Sequence, residues 1–448
     1  MEGHLVRLVR QKIVDAQTAE IPAFTPRDVY VPQVPGKAIA VIGMRRAGKT
    51  TFLWQLLAER ARAGMARSDM LYFSFEDERL AGLAAADLGI IVEEFYRLNP
   101  DGRDGRRATL FLDEVQVVPG WERFARRLLD TEHIELFLSG SSARLLSREV
   151  ATSMRGRAVE ARVFPFSFRE YLRHHGREPT EPAARLTKAA RTAVERELAS
   201  YLTAGGFPEA QGLTPRDRAD LLRGYVDVVL LRDVIERHGV THAAALRWMV
   251  RQLLGNAAGA FSVHRLANDL RSQGLKVGKD TLYAYLEHLE DAFLLHAVPV
   301  ATGSERRRMS NPRKAYPADP ALIPVFDRSG ANTGHALETC VALELLRRGC
   351  DLAYVRTAAD FEVDFLARAP EGAEALIQVC ADLGDAVTRE REVRALLAAR
   401  DEHPEASLHL VTQRPETARD IPAGIAVHSM AVWLLEAQGP GWKLKAEG

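Results

Sequence analysis

The stretch "VIGMRRAGKTT", residues 41–51, constrains this chain more than any other part of it. It follows "KAIAVI" (37–42), an apolar run typical of a buried strand, and precedes "TFLWQLLAERARAG", which has helical periodicity. Gly43, Gly48, Lys49 and Thr50 match the pattern G-x-x-x-x-G-K-[ST]. Because a strand, a glycine-bearing loop and a helix are the context that this pattern requires, a chance match in a turn is the minor alternative.

A loop of this kind turns its backbone N–H groups toward phosphates at the positive end of the following helix. We therefore expect ATP to bind here, with Lys49 reaching the β- and γ-phosphates and Thr50 ligating Mg²⁺. The residues expected to surround the nucleotide are Gly43, Arg45, Arg46, Ala47, Gly48, Lys49, Thr50 and Thr51.

A second motif, "ATLFLDEVQ" (108–116), predicts a buried strand that ends in two acids. Asp113 is expected to hold Mg²⁺, directly or through water, and Glu114 to orient and deprotonate the attacking water. The alternative is a strand that ends in a solvated acidic turn. A further strand-like run, "MLYFSFED" (70–77), lies between the two motifs, as in the additional-strand P-loop ATPases. This favours a glutamate-assisted hydrolase over a kinase or a Ras-like switch.

Two later stretches offer further candidates for the same site. After the strand-like start of "IELFLSGSSARLLS" (134–147), Ser139 or Ser141 could hydrogen-bond the γ-phosphate or the attacking water, although capping the next helix explains these serines equally well. Arg155 and Arg157 lie beside a predicted strand. Either arginine, with Arg157 preferred, could stabilise transition-state charge, or both could be solvated or paired with acids.

Length and charge limit the remaining choices. At 448 residues the chain predicts two to four domains, and its formal net charge of zero allows a nucleic-acid surface only as a local patch. The three cysteines show neither metal-ligand spacing nor a disulfide framework, which is typical of a reducing cytoplasm. The N-terminal stretch predicts an amphipathic helix, and no apolar run is long enough for a membrane span, so we expect a cytoplasmic protein without a membrane partner.

Several stretches together resemble a family of prokaryotic AAA-type ATPases with an uncharacterised C-terminal region. They include "GMRRAGKTT", "FLDEVQVVPGWERFARRLLD", "LSGSSARLLSRE", "GRAVEARVFPFSFREYL", "YLTAGGFPEA", "LLRDVIERHGV", "FEVDFLAR" and "LIQVC". The resemblance implies ATP binding and hydrolysis, and a C-terminal half with a winged-helix segment and a restriction-endonuclease-like fold.

The expected fold class is therefore α/β: an additional-strand P-loop ATPase core, which is a parallel sheet flanked by helices, followed by three further parts. We expect the ATPase domain over 1–180, a helical lid or connector over 181–250, a winged helix-turn-helix over 251–318 and a degenerate restriction-endonuclease-like α/β domain over 319–448. In the connector, Arg232 and Asp233 could contact the nucleotide or the ATPase core, but an internal pair on a helix face is the preferred interpretation.

The helix-turn-helix pattern predicts a second helix that presents its N-terminal residues to the major groove of DNA. The expected contacts are Lys276, Lys279, Thr281 and Tyr283, with Arg306, Arg307, Arg308, Arg313 and Lys314 as a basic cluster that could clamp phosphates. Such modules also dock proteins, and a basic loop is often only solvated, so a DNA partner and a protein partner both stay open.

In the last region, Glu338, Asp364 and the strand "IQVC" fall where restriction-type nucleases place a helix glutamate, a metal-binding aspartate and an acid-x-lysine pair. Gln378 and Cys380 occupy the acid and lysine positions here. A glutamine is a weak neutral ligand and a thiol supplies no ammonium, so we expect cleavage to be severely impaired or absent. The fold would then serve for binding or scaffolding, and Glu338 and Asp364 could be packed, hydrogen-bonded acids.

Two classes of function follow from these patterns. The leading interpretation is a Mg²⁺-dependent ATPase that couples its nucleotide state to DNA through the winged helix. The opposing one is a slow, nucleotide-controlled switch or scaffold that docks protein partners, and an active nuclease is a third, less favoured hypothesis. A homo-oligomer would be needed if an arginine finger acts in trans, and the sequence leaves that point and the biological pathway open.

Overall fold

The computed structural model describes residues 2–100, 107–140, 154, 156–304, 312–327 and 333–436. Arg155, Ser141 and the cluster Arg306 to Arg308 lie outside these residues. The chain divides into two compact units, Met1–Phe164 and Pro165–Gly448.

The first unit alternates helices with strands. Its elements are α1 (Glu2–Thr18), β1 (Ala38–Ile42), α2 (Lys49–Arg62), β2 (Met70–Ser74), α3 (Gly89–Leu98), β3 (Ala108–Asp113), α4 (Trp121–Thr131), β4 (Ile134–Gly140) and β5 (Ala158–Arg162). The strands form one parallel sheet in the order β2-β3-β4-β1-β5. A five-stranded parallel sheet flanked by helices is the core of a P-loop ATPase, so this part of the expected fold class is confirmed.

The strand that separates β1 from β3 in the sheet is β4, and β2 lies at the outer edge beside β3. Residues 70–74 of the run at 70–77 form a strand, as expected, but this strand is not the one inserted between the two motif strands in space. Residues of β1 and β3 are buried on both faces, with Phe111 of β3 stacked on Phe137 of β4 at a centroid distance of 5.1 Å. Because the strands are parallel, β1, β3 and β4 all end at the same edge of the sheet.

The second unit contains helices interleaved with the strands of two sheets. Its helices are α5 (Phe168–His174), α6 (Lys188–Ala204), α7 (Pro215–Val228), a π-helix (Val229–Glu236), α8 (Ala243–Gly255), α9 (Val263–Ser272), α10 (Lys279–Asp291), α11 (Leu322–Phe326), α12 (Thr333–Arg347), α13 (Ala386–Glu402) and α14 (Met430–Trp433). Its strands are β6 (Ala260–Phe261), β7 (Leu295–Val298), β8 (Arg313–Pro317), β9 (Asp351–Arg356), β10 (Glu362–Arg368), β11 (Glu374–Cys380), β12 (Ser407–Thr412) and β13 (Ile425–Ser429).

These strands form a three-stranded antiparallel sheet, ordered β6-β8-β7, and a five-stranded sheet, ordered β13-β12-β11-β10-β9. In the larger sheet β9, β10 and β11 are antiparallel, whereas β11, β12 and β13 are parallel. A bridge between Val300 and Tyr354 connects the chain after β7 to β9. A further α/β sheet domain therefore follows the P-loop core.

The stretches "PFSFREYL" (165–172) and "TAGGFPEA" (203–210) meet inside the second unit. The backbone N–H of Phe166 donates to the carbonyl of Gly206 at 2.7 Å, and the hydroxyl of Tyr201 donates to the carbonyl of Phe166 at 2.8 Å. Asp319 accepts the N–H of Gly206 at 2.6 Å and that of Ala321 at 2.9 Å. Burial raises the pKa of the Asp319 carboxyl to about 7. Both stretches therefore hold the second unit together, since these buried backbone groups need each other as partners.

The hydrogen-bonded contact of Phe166, Gly206 and Asp319, here called the joint, requires a glycine at position 206. A Cβ added there would lie 2.2 Å from the carbonyl oxygen and 2.8 Å from the nitrogen of Phe166, and both are backbone atoms that cannot move aside cheaply. We expect Gly206→Ala to lower the free energy of unfolding of the second unit by roughly 1–3 kcal/mol, measured by urea-induced unfolding. Gly224→Ala is the matched control: that glycine is exposed within α7, a Cβ there meets nothing within 4 Å, and alanine should stabilise the helix by about 0.5–1 kcal/mol. Equal stability of the two variants would contradict this account of the joint.

Candidate functional site

The loop between β1 and α2 depends on two glycines. A Cβ on Gly43 would lie 2.1 Å from the carbonyl oxygen of Val163, the residue after β5, whose N–H donates to Ile42. Gly48 precedes α2 in the left-handed conformation, with φ at 97°. The steric requirement at one position and the backbone requirement at the other explain why glycine is needed at both.

The ammonium of Lys49 lies over this loop. Lys49 is the first residue of α2 and is buried, and its Nζ donates to the carbonyls of Gly43 and Met44 at 3.1 Å each. The loop therefore combines a bound ammonium with the N-terminus of the helix that follows it, an arrangement that suits a polyphosphate. All eight residues expected around the nucleotide lie in this loop or the first turn of α2: Gly43, Arg45, Arg46, Ala47, Gly48, Lys49, Thr50 and Thr51.

Asp113, the last residue of β3, accepts hydrogen bonds from three hydroxyl groups. Thr50 Oγ1 donates to its Oδ2 at 3.0 Å, Tyr72 OH donates to the same oxygen at 2.8 Å, and Ser139 Oγ donates to Oδ1. Burial and the neighbouring Asp113 carboxylate both raise the pKa of the Tyr72 hydroxyl well above its ordinary value, so it remains a donor. Carboxylate and hydroxyl oxygens are hard ligands, and the adjacent pair Thr50 and Asp113 fits Mg²⁺.

Glu114 follows Asp113 with an unusual backbone. Its φ of 55° lies in the left-handed region, which is sparsely populated for a residue with a side chain. Its N–H donates to Ser139 Oγ at 3.0 Å, and Gln116 Nε2 donates to its carboxylate. Burial is the largest effect on this side chain and raises the pKa of the Glu114 carboxyl, against the lowering effect of Lys49. A carboxyl with a raised pKa is a better proton acceptor, which suits a general base.

Ser139 therefore lies between the two acids, because its one hydroxyl donates to Asp113 and accepts from Glu114. It belongs to β4, the strand between β1 and β3, and is fully buried. Ser141, the other serine expected in this role, lies outside the described residues.

The structure does not bring Arg157 to the loop. It immediately precedes β5, and its carbonyl accepts the N–H of Ala38, the first residue of β1. Since β1 and β5 are parallel and Gly43 follows the other end of β1, Arg157 lies at the opposite edge of the sheet. Its guanidinium is paired with Asp130 on α4. Arg232 likewise pairs with Glu236 one turn along the π-helix.

Sequence reasoning missed Arg27, Tyr72 and Gln116. Arg27 is buried in the segment before β1, and its Nη1 donates to the carbonyl of Ala47 in the loop at 2.9 Å, while Nη2 donates to the carbonyl of Phe164. Gln55 of α2 bonds both the N–H and the carbonyl of Arg27, at 2.7 and 3.1 Å. An arginine amid the prolines and apolar residues of "IPAFTPRDVYVP" was the available signal.

The expected DNA contacts lie at the start of α10. Lys276 and Lys279 are exposed, whereas Thr281 and Tyr283 are half-buried.

No helix among the described residues is long and apolar enough to cross a membrane.

Comparison with models of protein families supports the fold of the first unit. Residues 35–172 match the model of an AAA domain, and residues 195–331 match a domain of unknown function (DUF8612). With the parallel sheet and the glycine loop, this match defines the class: residues 35–172 have an AAA-type P-loop ATPase fold, and such a fold binds nucleotides.

The uncharacterized protein MJ1544 of Methanocaldococcus jannaschii is 32% identical over 375 residues, which are 82% of this chain and 80% of that protein. The chain belongs to the same family as this protein. An uncharacterized protein of Haemophilus influenzae is 28% identical over 331 residues, covering 73% of this chain and 78% of its own length. Among solved structures, the Walker-type ATPase PABY2304 of Pyrococcus abyssi has a TM-score of 0.40 at 16% identity, covering 71% of this chain and 95% of that chain.

Arg27 can be tested as a residue that positions the loop. We expect Arg27→Ala to lower the free energy of unfolding of the first unit by about 1–3 kcal/mol, because two buried carbonyls lose their donor, and to weaken nucleotide binding. Urea-induced unfolding and titration with a fluorescent ATP analogue measure the two effects. Arg62→Ala, an exposed arginine at the far end of α2, should change neither. Wild-type affinity in Arg27→Ala would show that the loop does not depend on this side chain.

Proposed function

We propose that the protein is a Mg²⁺-dependent ATPase. The observation that carries the proposal is the hydrogen bond of 3.0 Å between Thr50 Oγ1 and Asp113 Oδ2, next to the buried ammonium of Lys49. It puts two hard oxygen ligands from separate motifs side by side, at the carboxyl edge of a parallel sheet where such folds bind ligands. Mg²⁺ bound there would neutralise charge on the β- and γ-phosphates.

Each side chain of the site would have its own role in ATP binding and hydrolysis. Lys49 binds the β- and γ-phosphates, and the N–H groups of residues 43–51 surround the phosphate chain. Thr50 and Asp113 hold the metal ion. Glu114 accepts a proton from the attacking water, and Ser139 holds both acids in place through its hydroxyl. Arg157 precedes the N-terminal end of β5, whereas the nucleotide loop follows the C-terminal end of β1. In this proposal Arg157 therefore acts only on a nucleotide bound by another copy of the chain.

Replacing Glu114 separates hydrolysis from binding. We expect Glu114→Gln to slow steady-state ATP hydrolysis by about 100-fold or more, because the general base is lost, and to keep ATP affinity within a few-fold of wild type. Lys49→Ala should instead lose affinity, since a phosphate ligand is gone. Phosphate release and titration with a fluorescent ATP analogue measure the two effects. Equal hydrolysis by wild type and Glu114→Gln would refute the assigned base.

We further propose that nucleotide state is coupled to DNA through the helix pair α9 and α10, acting as a winged helix with β6, β7 and β8. Its support is the exposure of Lys276 and Lys279 where α10 begins, the end that enters the major groove in such modules. The competing proposal is a slow switch that docks proteins. Val228 and Leu231 favour it, since 47% and 42% of these apolar side chains are exposed about one helical turn apart.

The double variant Lys276→Ala/Lys279→Ala distinguishes these proposals. If α10 binds phosphates, the variant should bind duplex DNA at least tenfold more weakly, and the slope of log affinity against log salt should fall by about one for each phosphate that a lysine no longer neutralises. Fluorescence anisotropy at several salt concentrations measures both. Lys188→Ala is the control, because Lys188 is also an exposed lysine at the first position of a helix. Unchanged affinity in the double variant, or ATP hydrolysis that no DNA stimulates, would favour the protein-docking switch.

A further inference from the structure

A buried ammonium lies among three carboxylates in the second unit. Lys314 is on β8 and only 3% exposed. Its Nζ lies 2.9 Å from Glu338 Oε1, 2.8 Å from Glu362 Oε1 and 3.1 Å from Asp364 Oδ1. Glu338 comes from α12, and the other two acids come from one face of β10. Strand β8 of the small sheet is thereby tied to the α/β sheet and to the helix that covers it.

Further hydrogen bonds hold these acids in place. The hydroxyl of Tyr316 donates to Glu338 Oε1 at 2.6 Å, and the N–H of Val379 donates to Asp364 Oδ2 at 3.0 Å. Gln378 accepts the N–H of Asp364 at 3.2 Å and donates to Glu392 on α13 at 2.6 Å. The glutamine that replaces an acid in the sequence pattern therefore joins two elements instead of facing the ammonium.

The charges agree with this geometry. Burial lowers the pKa of the Lys314 ammonium, but the carboxylates of Asp364, Glu338 and Glu362 outweigh burial and hold that pKa above its ordinary value. Burial and the Asp364 carboxylate raise the pKa of the Glu338 carboxyl, whereas the Lys314 ammonium lowers it. The lysine therefore stays protonated. A buried ammonium of this kind is tolerated only where hydrogen-bonded acids surround it.

We propose that Lys314 is the resident cation of this acidic centre: its ammonium occupies the position that a divalent metal ion would need. The wild-type centre consequently takes no metal, and the lysine joins the two sheets of the second unit. Within the described ranges, no group of three or more His, Cys, Asp or Glu side chains could hold a metal ion, although three acids converge here. At position 380 the sequence has a thiol where the nuclease pattern has a lysine. In the structure, the ammonium of Lys314 on β8 contacts the acids instead. This inference is independent of the proposed ATPase activity.

Removing the ammonium should turn the centre into a metal site. We expect 1 mM Mn²⁺ (roughly the range of weak oxygen-ligand sites), without nucleotide, to raise the Tm of Lys314→Ala by several degrees more than that of wild type. Lys314→Ala/Asp364→Asn should lose this gain, and Lys188→Ala should respond as wild type does. An equal response in wild type and Lys314→Ala, or the same gain in the double variant, would overturn the proposal.

A second measurement covers the case in which Lys314→Ala does not fold. Wild type and Asp364→Asn, both without nucleotide, should bind the same number of Mn²⁺ ions by electron paramagnetic resonance. One ion bound by wild type and lost in Asp364→Asn would mean that the centre takes a metal with Lys314 present. Mg²⁺-dependent cutting of DNA by wild type that Asp364→Asn abolishes would also overturn the proposal, and would make Lys314 a nuclease lysine.

Discussion

The carboxylate of Asp113 connects the parts of the first unit that a nucleotide site needs. It is buried, so its oxygens need donors, and it finds them on α2, β2 and β4. These hydrogen bonds set the distance between the glycine loop and the end of β3. Through Ser139 they also support the backbone of Glu114, whose left-handed conformation would be costly without a fixed partner. The positions of the proposed metal ligands and of the proposed base are therefore not independent.

A similar dependence holds the second unit together, but there it uses backbone groups. The joint of Phe166, Gly206 and Asp319 is buried, and Phe166 and Gly206 lie in stretches that resemble the family, as the glycine loop does. Resemblance alone does not distinguish these two kinds of motif. The contacts do, since the joint satisfies buried polar groups of the fold, whereas the loop combines a buried ammonium with a helix N-terminus, an arrangement that suits a polyphosphate.

Lys314 shows why the chemistry of a site depends on charges from distant parts of the chain. The family resemblance predicts that Glu338, Asp364, Gln378 and Cys380 occupy the positions of a nuclease site, with one acid and the lysine replaced. In the structure an ammonium is present, but it is bonded to the remaining acids. A cation in that position competes with a metal ion instead of assisting it, because both require the same carboxylate oxygens.

The sequence by itself determined the glycine loop, the strand ends at Asp113 and Glu114, and the P-loop core, because each of these rests on residues that are adjacent in the chain. Only the tertiary structure decided which strand separates β1 from β3, which end of β5 carries Arg157, and that Arg27, Tyr72 and Lys314 reach the groups they bond. Sheet order and the meeting of distant side chains follow from the burial of whole elements against one another. That burial depends on crossover connections and on packing, which local periodicity and spacing do not encode.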